Sequence, residues 1–200
     1  MEMRRFIACL TFSLSLLVTV FLSVRIAEAQ SEILADGWQV ADIGFGIKPA
    51  FDFESDGRFH VMGITEEFVH GVIWHAVADS LDGPWDPQTA SEGYFYGPGD
   101  LRVDATGTVH MAWHNHDDQD PNHVTVDPEG NATLYRIPTP GHNGWDNSLA
   151  FDSSGNVHQS SVDPILTGGL ISLEYGVFDG SSWSYEKVPN SDFFIPDPPR

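Results

Sequence analysis

The chain has 200 residues, with 29 acidic side chains against 9 basic ones, a net charge of −20 and a pI near 4.4. So few positive charges leave nothing to build a basic patch, which excludes nucleic acid as a partner. The single cysteine, Cys9, excludes a disulfide framework and cysteine catalysis.

Residues 1–29 read as a signal peptide: Arg4-Arg5 form a basic start, Phe6–Val24 an apolar run, and Ala27-Glu28-Ala29 a small-residue cleavage site before Gln30. The expected location is therefore secreted or periplasmic, and a membrane contact follows only if this segment stays uncleaved. Its removal leaves 6 basic and 27 acidic residues, a net charge of −21. That acidity fits solubility in salty surroundings. It also leaves room for a divalent cation held by Asp-rich turns. Asn131-Ala132-Thr133 is a glycosylation sequon.

Beyond Gln30 the first predicted element is a lone strand over Trp38–Ile43, read as the outer strand that completes the last unit of a ring. Three versions of one phrase follow: PAFDFESDGRFHVMG from Pro49, GDLRVDATGTVHMAW from Gly99 and NSLAFDSSGNVHQSS from Asn147. Each is an apolar run ending in Asp (Asp52, Asp104, Asp152), then Gly (Gly57, Gly107, Gly155), then His (His60, His110, His158). A period of about 40–50 residues made of short strands marks propeller blades. Asp36-Gly37-Trp38, Asp82-Gly83-Pro84-Trp85 and Asp179-Gly180-Ser181-Ser182-Trp183 add a second punctuation, a turn before a tryptophan. Asp127-Pro-Glu-Gly-Asn131 takes its place in the middle repeat.

Four alternating strands per repeat follow from the pattern. In the last repeat strand A is predicted over Ser148–Asp152, B over Val157–Val162, C over Ile171–Phe178 and D over Trp183–Val188. The predicted fold is thus all-β: a partial propeller over 30–200, with blades near 45–90, 97–138 and 145–190. Closed propellers have about four to eight blades. The expectation is that this chain is a piece of a ring of about six to eight blades, or that three-blade chains assemble around a symmetry axis.

The phrase SLAFDSSGNVH followed by LEYGVFDGSSW resembles the repeat of BNR or sialidase-like β-propellers, and Ser80-Leu81-Asp82-Gly83-Pro84-Trp85 is similar to a shortened Asp-box of that group. The resemblance implies that A–B and C–D turns lie on one face. The B–C and D–A loops then lie on the other, which carries the site. His60, His110 and His158, inside strand B, are read as packing residues.

The middle repeat places His114, His116 and Asp117 at its B–C connection. They could serve as a general base or acid, or as ligands for a transition metal. Neighbouring site-face loops supply Glu66, Glu67 and His70, then Tyr94 and Tyr96, then His142, Trp145 and Asp146. Aromatic faces interleaved with carboxylates suit a sugar ring and its hydroxyls, so a glycan is the expected partner. The interior arginines Arg58, Arg102 and Arg136 do not assemble a sialidase-type triad, because Arg58 and Arg136 fall off the predicted site-face loops. The leading expectation is a secreted sialidase-like propeller that binds or processes carbohydrate. The alternatives are a non-catalytic scaffold for a protein partner and a polysaccharide lyase with a His114 or His116 base and a Tyr94 or Tyr96 acid.

Overall fold

The computed structural model describes residues 31–33, 39–41, 43, 46–65, 70–137, 139, 144–165 and 170–194. Residues 1–29, Glu66, Glu67, His142 and the tail from Asp197 lie outside the described residues. Strands β1 (Ser31–Ile33) and β2 (Gln39–Ala41) pair with each other. Within the predicted Trp38–Ile43 strand, Gln39–Ala41 pairs with β1 and with no blade strand among the described residues.

The first blade consists of β3 (Ile47–Phe53), β4 (Phe59–Ile64), β5 (His70–Ala78) and the first half of β6 (Gln88–Val103). The second takes the rest of β6, then β7 (Val109–Asn115), β8 (Asp120–Val126) and β9 (Ala132–Arg136). The third is β10 (Trp145–Phe151), β11 (Val157–Ile165), β12 (Leu170–Phe178) and β13 (Trp183–Lys187). A short β14 (Phe193–Phe194) pairs with the start of β12, continuing the line of β13. Within each blade successive strands pair antiparallel, β3 to β9 running as one seven-stranded path through β6 and β10 to β13 as a second, which makes an all-β partial propeller.

Two expectations need correction. Strand D of the first blade and strand A of the second are one 16-residue strand, β6, with a register shift between Tyr96 and Asp100. Tyr94 and Tyr96 therefore sit in a strand rather than a loop. Tyr94 pairs with His70 on one side and Phe95 with Asn115 on the other, so the backbone stays extended across the junction. Likewise Trp145 and Asp146 begin β10, where Asp146 adopts φ 51° beside a register shift.

The second correction concerns the A–B turn. In the second and third repeats the backbone closes from Asp104 to Thr108 and from Asp152 to Asn156. Asp104 Oδ1 accepts the N–H groups of Thr106 and Thr108, and Asp152 Oδ1 those of Ser154 and Asn156. The matching residue in the first repeat is Glu54, which closes on Arg58, not Asp52. In all three turns the glycine (Gly57, Gly107, Gly155) has φ between 84° and 96°, a region that disfavours side chains.

Asp52 has a different task. Its Oδ2 accepts Val103 N–H at 3.0 Å, across to the next blade. One blade further on, Asp100 Oδ2 accepts Leu149 N–H at 2.8 Å, and Arg102 Nε donates to Leu149 O at 3.2 Å. These bonds seat the A strands side by side. The apolar cores fill the gaps between blades: Met62, Ile64 and Ile73 meet Leu101, Val109, Met111 and Trp113, while Ala112 meets Leu149, Val157 and Phe178.

The repeated strand-B histidines each have a partner on strand C, and those of the first two blades, His60 and His110, face these gaps. His60 Nδ1 lies 3.0 Å from His75 Nε2, and His110 Nδ1 lies 3.0 Å from His123 Nε2. His158 Nδ1 meets the Tyr175 hydroxyl. His60 Nε2–H donates to Glu54 at 2.9 Å, so in the neutral ring Nδ1 accepts from His75. His123 is enclosed by Phe178 and Trp183 of the third blade. Burial, then the neighbouring histidine, lowers His75 to about 4 and His123 to about 3.

Two outcomes follow from this packing. Leu101→Ala, which empties a fully buried site between blades, should cost about 2–5 kcal/mol in urea unfolding. The neutral histidines make stability pH-dependent. An unfolded histidine takes up its proton near 6.5, whereas these do so only near 4 and 3. Their contribution is complete above about pH 6.5 and is lost as pH falls toward 4. Urea midpoints at pH 7.5 and 4.5 should therefore differ, and the pair His75→Gln, His123→Gln should narrow that difference.

Candidate functional site

In an antiparallel meander alternate connections share one end, so the B–C turns lie at the end opposite the Asp-x-x-Gly turns. At that end of the second blade, residues 116–119 form a turn between β7 and β8. The turn is tied to β6: His116 N–H donates to Tyr94 O at 2.7 Å, and Tyr94 N–H donates to Asp117 Oδ2 at 3.1 Å. Asp117 N–H in turn donates to Asn115 Oδ1. The Asp117 carboxylate thus positions the strand that carries Tyr94.

This lashing brings rings from three elements into a row. Tyr94 lies 4.8 Å from His116 between centroids, His116 lies 6.1 Å from His114, and His114 lies 6.2 Å from Trp145. His116 is exposed, Tyr94 and Trp145 are half-buried, and His114 is buried on the face of β7 toward the third blade. Tyr96 pairs with His114 along the backbone, and its side chain lies outside the described residues. Asp146 is exposed beside Trp145. Among the described residues no three histidines or carboxylates converge to hold a metal ion. The rings of His114 and His116 cross at 68°.

Arg136 also belongs to this end of the blade, contrary to its expected placement, because β9 runs back from the Asp127 turn. Its Nη1 lies 3.4 Å from Asp118 Oδ2 in the B–C turn.

The structure adds a set of side chains that the sequence reading missed. On β11 the face toward the second blade carries Val157, Gln159, Ser161 and Asp163. The same slots on β7 hold Val109, Met111, Trp113 and Asn115, as the pairing of each histidine fixes. Across from them on β12 lie Ser172 and Glu174, both buried. Gln159 Nε2 donates to Asn147 Oδ1, whose own amide donates to Gly144 O. Ser161 Oγ meets the hydroxyl of Tyr185, whose ring lies over Gly176. The gap between the first two blades is filled mainly by the Met62, Ile64, Ile73, Met111 and Trp113 side chains, whereas the next gap carries Gln159, Ser161, Asp163 and Glu174 toward the candidate-site end. Burial, then the charge of Asp163, raises the Glu174 carboxyl above its usual range. The departure from Met and Trp to Gln and Ser in the third repeat was the signal for this lining.

No protein-family model matches the sequence, and no curated protein is similar to it. Solved structures are similar in fold. A GH43 β-1,3-galactosidase superposes with a TM-score of 0.51 at 10% identity, over 79% of this chain and 35% of its own. A second, with galactodeoxynojirimycin, gives 0.46 at 13% identity, over 69% and 56%. A fucose lectin from Kordia zhangzhouensis in complex with methyl-fucoside gives 0.44 at 14% identity, over 69% and 96%. The chain thus spans 56% and 35% of the two galactosidases.

Glu174 has a measurable consequence. A carboxyl whose folded pKa is raised favours folding below its ordinary pKa and opposes it once ionised. Glu174→Gln should therefore raise the urea midpoint at pH 7, with the gain shrinking as pH is lowered toward 4.

Proposed function

We propose that this protein is a secreted β-propeller that binds carbohydrate at the end of the blades where Tyr94, His116, His114 and Trp145 form their row. That row is the observation that carries the reading. Flat apolar rings offer a stacking face for the C–H surface of a sugar, and Asp146 and the amide and hydroxyl groups beside it can take its hydroxyls. The fold likeness to a β-1,3-galactosidase and the repeat's resemblance to sialidase-like propellers support the same class of ligand without naming the sugar.

One observation favours processing in addition to binding. Glu174, held toward its neutral form, stands beside Asp163 on the same end of the third blade. A carboxyl held toward its neutral form beside a second carboxyl can serve as the acid of an acid–base pair.

The test is binding of the mature chain to an array of galactose- and fucose-terminated oligosaccharides. Specific binding is expected, with Trp145→Ala and His116→Ala each weakening it at least tenfold. Absence of binding to every glycan, or unchanged binding by both variants, would refute the site. A reducing-sugar assay on the bound glycan reads processing separately. Turnover abolished by Glu174→Gln while binding persists is the expected pattern.

A further inference from the structure

The gap between the second and third blades is lined by acceptors that lack donors. The Gly144 carbonyl can only accept, so the Asn147 amide turns its Nδ2 toward it and offers Oδ1 to Gln159. Gln159 Nε2 donates to that oxygen. The Gln159 Oε1 is therefore the outward end of the chain of amides, and it is buried in the gap with no hydrogen-bond partner. A buried acceptor left without a donor is costly.

Carboxyls surround the same gap. From Gln159 the face of β11 continues through Ser161 to Asp163, which pair with Glu174 and Ser172 on β12. Asp163 is 9% exposed and Glu174 4%. Asp120 enters from the second blade at the start of β8. Its charge and those of Glu174 and Asp163 all act on the Tyr185 hydroxyl, which burial already keeps protonated. Lys187, opposite Glu174 on β13, is exposed and donates to Asp192. The row of rings ends at this gap: Trp145 pairs with Val162, the neighbour of Asp163, and His114 lies on the face of β7 toward it.

Acceptors in excess, some of them charged and dry, call for a ligand made of donors. No three of the described histidines and carboxyls converge as a metal ion requires. Spaced acceptors suit instead an organic ammonium, whose hydrogens point in separate directions and which also gains from an aromatic face. We propose that the sugar bound at the row of rings is an amino sugar, with its ring on Trp145 and its unsubstituted ammonium among Asp163, Glu174, Asp120 and Gln159. This rests on the carbohydrate reading of the row and adds to it the charge of the ligand. The same gap opposes a uronic or sialic acid, whose carboxylate would meet like charges while Asp192 already engages Lys187.

Titration calorimetry of the mature chain tests this, with one oligosaccharide ending in galactosamine, galactose, N-acetylgalactosamine or galacturonic acid. The galactosamine form should bind about tenfold tighter than the galactose form, the worth of one charge-assisted hydrogen bond. The N-acetylated form should bind no tighter than galactose, and the uronate most weakly. Asp163→Asn and, separately, Asp120→Asn should each lower the galactosamine-to-galactose ratio about threefold or more. A ratio of two ligands on one variant is insensitive to the fraction of chain that folds. Glu129→Gln, on an exposed turn, should leave the ratio unchanged, which separates the gap from the overall negative charge. Galactosamine bound no tighter than galactose, with galactose binding still lost in Trp145→Ala, overturns the amino sugar and leaves the row of rings standing. A ratio that Glu129→Gln lowers as much as Asp163→Asn also overturns it, as does a ratio untouched by both aspartate substitutions. Binding of none of the four forms overturns the amino sugar and the carbohydrate reading together.

Discussion

The architecture rests on how one blade's innermost strand is seated against the next. A leucine side chain supplies the apolar contact, but apolar contact alone is not directional. Direction comes from carboxylates reaching between strands that belong to different sheets. Asp52 takes Val103 N–H, and Asp100 takes Leu149 N–H. Each bond satisfies a strand-A amide that the neighbouring strand leaves unused and fixes the height of one blade against another. The row of rings at the far end depends on this alignment, since Tyr94 comes from the first blade, His114 and His116 from the second, and Trp145 from the third.

The histidine pairs show how the repeat tolerates polarity between blades. A buried imidazole needs its nitrogens occupied, and a second imidazole or a phenol on strand C provides a partner while presenting a flat, largely apolar ring to the next blade. His123 is held between Tyr135 of its own blade and Phe178 and Trp183 of the next. Its Nδ1 is buried without a hydrogen bond, and this favours the uncharged ring still further. The polar stretch on the third blade differs in kind. Gln159 and Ser161 lie where the second blade places Met111 and Trp113, Asp163 and Glu174 bring carboxyls where it places Asn115 and Asn122, and a carboxyl kept in so dry a place is rarely there for packing alone.

The blades were legible because their turns obey strict local rules. Gly107 and Gly155 need positive φ, and Asp104 and Asp152 cap the same turns, so spacing alone revealed them. The first repeat misled because Glu54 fills the turn position with a longer side chain, and the aspartate two residues earlier stood in for it. Tyr94 and Tyr96 looked like loop residues since Gly93, Gly97, Pro98 and Gly99 surround them, yet antiparallel neighbours on both sides hold that backbone extended. Drawing His114, His116, Tyr94 and Trp145 together required only the rule that alternate connections share an end. The acidic lining of β11 and β12 was hidden for another reason. Its alternation is regular, and only the comparison of equivalent slots shows polar residues pointing into a gap.

The shared strand β6 also sets how the molecule comes apart. Since its two halves belong to different sheets, stripping β5 from one side or β7 from the other frees a strand that still anchors the remaining blade. The first two blades are thus mechanically in series through a single backbone segment, whereas among the described residues no strand is shared between them and the third. Pulled from its ends, the chain should yield the third blade as one extension step and the first two together as a longer one. Under shear the third blade would in that way be lost before the two that hold Tyr94 and His116.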